Sequence, residues 1–241
     1  MVKVDLAKIS VTEANERIRG AGENSEDVEV FNPDARHHIG VGLIHPINVR
    51  VNGSAGYFCA GLTDGPNFTI EGNVGWGVGD NMYQGSVVVN GNASAIPAVA
   101  IRGADIVIKG NIGSRAGQVM KEGTLFCGRN ANFMAGYMMY GGRIIILGDS
   151  GERLGEDMTG GSIYIGGKIQ SLGTDAKIDD LDSDELDSIR QFLDQYELPF
   201  DGSFQKVVNA GEHLRYKGGV EERVRPMPFH TFSGTHAYWN D

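Results

Sequence analysis

Apolar residues return through the middle of this chain at a fixed spacing of 19 residues, and small or polar residues separate them in the same order each time. A column of markers sets the frame: Gly53, Gly72, Gly91, Gly110, Arg129, Gly148 and Gly167. Two residues before each marker stand Val51, Ile70, Val89, Ile108, Cys127, Ile146 and Ile165, and four before stand Val49, Phe68, Val87, Ile106, Leu125, Ile144 and Ile163. Alternate apolar positions on a short β-branched run point to one face of a strand. Each repeat is therefore predicted to carry one strand with an inward pair, ended by its marker.

Further round the repeat, the sixth position after the marker reads Cys59, Val78, Pro97, Ala116, Ala135 and Leu154, and the tenth reads Thr63, Met82, Ile101, Met120, Met139 and Met158. Between them the seventh reads Ala60, Gly79, Ala98, Gly117, Gly136 and Gly155, with no side chain larger than methyl. Such a column predicts a tight corner or a close backbone approach. A repeat of this length is too short for a helix plus a strand, and several inward columns with small corners are best met by one coil of a parallel β-helix. The expected fold is all-β: a parallel β-solenoid of about seven 19-residue coils over 28–173, its coils ~4.8 Å apart.

Both ends depart from the period. In 1–27, Val2, Val4 and Leu6 alternate as a strand, and Ser10 with Glu13 forms a capping-box pattern that opens a short helix closed by Gly20. The run Asn32-Pro-Asp-Ala-Arg36-His-His-Ile-Gly-Val-Gly42 takes the place of a degenerate first coil. In 174–241, Asp182 and Glu185 cap a second helix whose Leu186, Ile189, Leu193 and Tyr196 share one face, expected to dock against the C-terminal end of the solenoid. Phe204 to Tyr216 is expected to form a hairpin, and Arg225 to Asp241 reads as an extended aromatic arm.

All but seven of the 36 glycines fall between Gly40 and Gly173, which excludes a helical bundle there. The net charge of −10 is concentrated between Asp175 and Asp201, so the solenoid is near neutral and offers no nucleic-acid surface. No run approaches the ~20 apolar residues of a membrane span, and the start MVKVDLAK has no signal-peptide core; a cytoplasmic location is expected. Cys59 and Cys127 lie inward on coils four apart, about 19 Å along the stack, and are expected to be packed, reduced thiols.

Several motifs dissolve into the repeat. Gly75-Trp-Gly-Val-Gly79 has the look of a dinucleotide loop, but its third spacing is wrong and its glycines fall on repeat columns, so they are corner glycines. His37-His38 with Asp34 or His45 lacks ligand spacing for a metal. Two cysteines are half the set an iron–sulfur cluster needs. Met82, Met120, Met139 and Met158 occupy an inward column, and Met134 and Met138 read with them as gap-filling core. The start Met1-Val2 is expected to supply no N-terminal nucleophile. No catalytic, cofactor-binding or metal residue is assigned.

The glycine-cornered coils, the stretch Gly151-Glu-Arg-Leu-Gly-Glu-Asp-Met-Thr-Gly-Gly161-Ser-Ile-Tyr-Ile and the Asn32-Pro-Asp-Ala-Arg36 to Gly40 opening resemble the GXGXG right-handed β-helix domain that ends the large chain of glutamate synthase. The domain is shared with a subunit of formylmethanofuran dehydrogenase. Standing alone, this chain looks like the small subunit of three-subunit glutamate synthase-like enzymes, N-methylglutamate synthase among them. The resemblance implies a non-catalytic scaffold. It would join a class II glutamine amidotransferase-like subunit, which releases ammonia or takes methylamine, to a synthase subunit carrying FMN and an iron–sulfur cluster. The alternative is the equivalent formylmethanofuran dehydrogenase subunit, whose partners carry molybdenum or tungsten.

An independent sugar-active solenoid would need outward carboxylates. The column three before the marker instead reads Arg50, Thr69, Val88, Val107, Phe126, Ile145 and Tyr164. An apolar exterior fits a buried interface. Val88, Val107, Phe126, Ile145 and Tyr164, with Phe229, Phe232, Tyr238 and Trp239 of the arm, are the expected partner-facing residues.

Overall fold

A computed structural model describes residues 1–211. Strand β1 (Val2–Asp5) and helix α1 (Val11–Glu23) precede β2 (Val28–Phe31), β3 (Asn48–Val51), β4 (Asn67–Ile70), β5 (Ser86–Val89), β6 (Arg102–Ile108), β7 (Glu122–Cys127), β8 (Arg143–Ile146) and β9 (Ser162–Ile165). After these come β10 (Ala176–Asp179), α2 (Ser183–Gln195) and β11 (Gln205–Asn209). From β1 to β9 every neighbouring pair is parallel and follows chain order. This is a parallel β-solenoid, and its register is the 19-residue period: Val49 pairs Phe68, Phe68 pairs Val87, and Val87 pairs Ile106.

Every inward column of the repeat is buried. The residues two and four before the markers are at most 1% exposed, and those ten after are fully covered, Thr63 included. Thr63 is tolerated there because its hydroxyl donates to Ala60 O at 3.0 Å. A second line of contacts runs through Ala55, Val74, Ala93, Ile112, Ala131, Ser150 and Ile169, each bridging the residue 19 further on. A third wall is built differently. Residues five, seven and nine after each of the first six markers have positive φ, for example Phe58, Ala60 and Leu62, or Ile96, Ala98 and Ala100. Their amides alternate in direction: Ile96 N donates to Ser114 O in the next coil, and Ala98 N to Val78 O in the previous one. A β-branched residue in this region is strained, and the inter-coil bonds hold Ile96 and Val119 there. The small column seven after the marker combines this φ with a close approach, since a Cβ on Gly117 would lie 2.6 Å from Ile144 Cδ1.

Beyond Gly53, whose φ is +142°, the marker column is small for want of space and not for its φ. A Cβ on Gly91 would lie 2.5 Å from Asn73 Oδ1 and 2.7 Å from Gly72 O. Marker amides also stack, Gly91 N on Gly72 O and Gly110 N on Gly91 O. Arg129 interrupts this line. The Gly110 carbonyl accepts instead from Cys127 Sγ at 3.4 Å, and the close approach moves one residue earlier, where a Cβ on Gly128 would meet Lys109 O at 2.4 Å. Arg129 therefore marks a local irregularity of the ladder with an exposed side chain.

The N-terminal end is closed by α1. Ser10 accepts from Glu13 N as its cap, and Ala14, Ile18 and Ala21 join the solenoid core. Asn15 replaces a missing coil: Oδ1 accepts from Gly40 N at 2.8 Å, and Nδ2 donates to His38 O at 2.7 Å. The helix does not stop at Gly20 but runs to Glu23, because Asn24 caps it and Gly22 packs under the ring of His45. At the other end the hairpin expected over Phe204–Tyr216 is not seen. Its first half, β11, lies antiparallel between β9 and β10, and residues 212–216 lie outside the described residues.

The spacing argument is testable at single positions. Gly91→Ala must displace backbone as well as the Asn73 amide, and is expected to cost about 1–3 kcal/mol. Arg129→Gly, which restores the marker, should shift stability by less than about 1 kcal/mol. Urea unfolding of both variants checks the pair.

Candidate functional site

The outward column thought to face a partner is covered by the chain itself. Val107, Phe126 and Ile145 are fully buried and Tyr164 is 5% exposed, in a second core with Ile189, Phe192, Leu193 and Leu198. Val88 packs at its margin. The physical reason is α2, which lies along the flank of the stack rather than on its C-terminal end. Asp182 and Glu185 form the reciprocal capping box, and Ile189, Phe192 and Leu193 make the apolar face. One turn of the helix then meets one coil. Tyr164 Oη donates to Glu185 Oε1 at 3.0 Å, Arg143 Nη1 to Ser188 Oγ at 2.9 Å, and Tyr196 Oη to Asp105 Oδ2 at 2.9 Å. Between them Phe192 sits 6.2 Å from the Phe126 ring, under the Arg143 guanidinium. Burial, with Asp105 beside it, pushes the Tyr196 hydroxyl well above the usual tyrosine range. The arm residues Phe229, Phe232, Tyr238 and Trp239 lie outside the described residues.

Where α2 does not reach, the same column turns polar. Arg50 pairs with Glu71, and a groove over the first strands is lined by Asp27, Glu29, Asn48, Arg50, Asn67 and Thr69. A second outward line was missed in the sequence. The residue after each marker reads Ser54, Asn73, Asn92, Asn111, Asn130, Asp149 and Lys168, and each of the first six accepts from the backbone amide 19 residues on, at 2.7–3.1 Å. Asn92 belongs to this ladder. The signal was available as a column of side-chain acceptors at the repeat spacing. Four residues after the first markers, Tyr57 and Trp76 stand exposed, and His37, Tyr57 and Trp76 stack with ring centroids 4.2 and 5.3 Å apart. His37 Nδ1 accepts from Tyr57 N, which ties the ring to the next coil.

The buried ionisable groups are structural. Glu156, 2% exposed, accepts from Arg153 and from Thr174 N, tying the last coil to its neighbour. Hydrogen bonds from Arg153 and Thr174 prevail over burial and hold its carboxyl below the usual range. Burial pushes both thiols up to about 12, so neither Cys59 nor Cys127 is a nucleophile at neutral pH. They sit on coils too far apart to share a cluster, and the described residues hold no group of three or more His, Cys, Asp or Glu suited to a metal. Gly75, Gly77 and Gly79 are corners: Gly77 and Gly79 both have φ of +69°. No described helix is long and apolar enough to cross a membrane.

These coils, with glycines alternating through a left-handed corner, define a repeat solenoid of the GXGXG type. The GXGXG motif family matches residues 32–196, and the chain belongs to that family, the glutamate synthase-like GXGXG domains. The match runs past the last coil and takes in α2. Among curated proteins the chain is similar to Protein GlxC of Rhizobium meliloti (strain 1021), 42% identical over 90 residues, which is 36% of this chain and 40% of that relative.

Two tests separate cover from docking surface. Phe126→Asp is expected to cost more than about 4 kcal/mol and to unfold the chain, whereas truncating the half-exposed Trp76 to Ala should leave stability nearly unchanged; thermal melts distinguish them. Alkylation at pH 8 should leave both cysteines unmodified until the chain is denatured. Between pH 9 and about 12 the unfolded chain loses thiol protons that the folded chain keeps, so stability should fall as pH rises through that window.

Proposed function

We propose that this chain is the non-catalytic assembly subunit of a glutamate synthase-type enzyme. Its solenoid holds a class II glutamine amidotransferase-like chain and an FMN and iron–sulfur synthase chain so that ammonia or methylamine passes between their sites. The observation that carries this reading is the GXGXG match from the coil of β3 through β9 and α2, in a structure whose polar residues are spent on holding coil to coil. A parallel stack with side-chain ladders inside and hydrogen bonds at every step has few soft modes. It therefore suits a spacer that fixes the distance between two partners. The similarity to Protein GlxC supports a glutamate synthase-related subunit. FMN and the cluster belong to the synthase chain, because the two buried thiols here do not fit a cluster.

The test is isolation of the chain from its native source under gentle conditions. The expected result is a complex containing an amidotransferase-like chain and a yellow-brown flavoprotein whose released cofactor is FMN. Product analysis with ammonia or methylamine then distinguishes glutamate from N-methylglutamate. A pterin-bound molybdenum or tungsten in the complex would assign it to the formylmethanofuran type, and a persistent monomer at cellular concentration would sink the subunit reading.

A further inference from the structure

The eleventh position after each marker is an outward column that neither the core nor α2 uses. After the first six markers it reads Asp64, Tyr83, Arg102, Lys121, Tyr140 and Thr159, and the four central residues carry its aromatic and cationic side chains. The column is held in register by backbone bonds from Tyr83 N to Thr63 O, Arg102 N to Met82 O, Lys121 N to Ile101 O and Tyr140 N to Met120 O. The coils are ~4.8 Å apart, so the two tyrosines stand about 14 Å apart along the stack. At the centre the ladder bulges, with Arg102 paired to Glu122 and the amides of Lys121 and Glu122 both donating to Ile101 O.

Two cations stand side by side at its centre. Like charges this near repel, and although Glu122 is the ladder partner of Arg102, no carboxylate among the described residues lies within ion-pair distance of either cation. Among the described residues neither Arg102 nor Lys121 has an ion-pair partner, and the buried Arg102 Nε has no acceptor. Glu122, which follows Lys121 and lies opposite Arg102 in the ladder, turns an exposed side chain to solvent and makes no ion pair with either. Desolvation, and then the charge of Arg102, hold the Lys121 ammonium below the usual lysine range. Both side chains are half-buried. The tyrosines on either side are 51% and 46% exposed, and the Arg102 guanidinium lies 5.2 Å from the Tyr83 ring centroid, which fixes its plane outward.

We infer that Tyr83, Arg102, Lys121 and Tyr140 form a docking ridge for an acidic segment of a partner protein, with one carboxylate bridging Arg102 and Lys121 between apolar side chains laid on the two tyrosines. A carboxylate supplies what the ridge lacks, an anion that removes the repulsion between the cations. The flanking composition is that of an interface centre, where tyrosine and arginine carry most of the binding. A nucleic acid would need a longer run of cations than two on a chain of net charge −10. The inference rests on the subunit reading above and adds where the contact is made.

The experiment acetylates lysines in the isolated chain and in the complex assembled with the amidotransferase-like and synthase-like chains, followed by mass spectrometry. Lys121 is expected to react about tenfold or more slowly in the complex, with the exposed Lys8 unchanged as the internal standard. R102Q/K121Q, which keeps the length and loses the charge, should melt like the parent and lose at least about tenfold in affinity for the assembled partners. A complex in which Lys121 reacts as in the isolated chain, and which R102Q/K121Q joins normally, overturns the ridge and leaves the subunit reading standing. Lys121 already shielded in the isolated chain would show that this chain fills its own ridge and would overturn it as well. Failure of any complex to form sinks the subunit reading, and the ridge with it.

Discussion

The constraint on which everything else depends is that each coil must meet the next with its whole backbone in register. Nineteen residues close one turn, and the amides of each turn are answered by carbonyls of the turns above and below, in the strands, at the single bridges and through the left-handed corner. An insertion anywhere inside a coil would leave a row of buried polar groups unpaired, at a cost of about 1–3 kcal/mol each. That is why the period holds without a slip from Gly53 to Gly167, and why the one exception, Arg129, is accommodated by a local exchange of partners rather than by a change of length.

The same constraint explains how a helix comes to lie on a solenoid. The pitch of an α-helix, ~5.4 Å, is close to the coil spacing of ~4.8 Å, so a helix laid along the stack meets one coil per turn. Glu185, Ser188, Phe192 and Tyr196 of α2 accordingly meet Tyr164, Arg143, Phe126 and Asp105, residues of four successive coils. The covered column is apolar from Val88 to Tyr164 and polar at Arg50 and Thr69, so its composition changes where the helix ends.

The inward columns were legible because a period of two within a period of 19 leaves little freedom: strand positions, buried methionines, corner glycines and the inertness of both cysteines all followed from spacing. The partner of the outward column was not legible in the same way. An apolar exterior column states that something covers it and does not state what, and α2 carried a matching face, Ile189 with Leu193, that could have been set against it by length. The acceptor ladder from Ser54 to Asp149 was missed for a different reason: a side chain bonded to a backbone amide in the next coil has no hydrophobic signature. The wall of alternating positive φ was hidden likewise, since Ile96, Arg115 and Met134 are residues that local preference would never place there.

A stack of this kind separates structure from recognition. Inside, each column is fixed by packing against its own neighbours, and a change in one coil is felt in two others. Outside, a side chain can vary without disturbing register, so what a face recognises is written coil by coil along a column whose spacing the fold has already set. One outer column is occupied by α2 and another by side-chain acceptors that bond the backbone. Columns left open can differ in chemistry along their length, as the eleventh position does in passing from aromatic to cationic and back. Two cations carried on neighbouring coils cannot move far apart to relieve their repulsion, so an anionic partner is the stabilising answer.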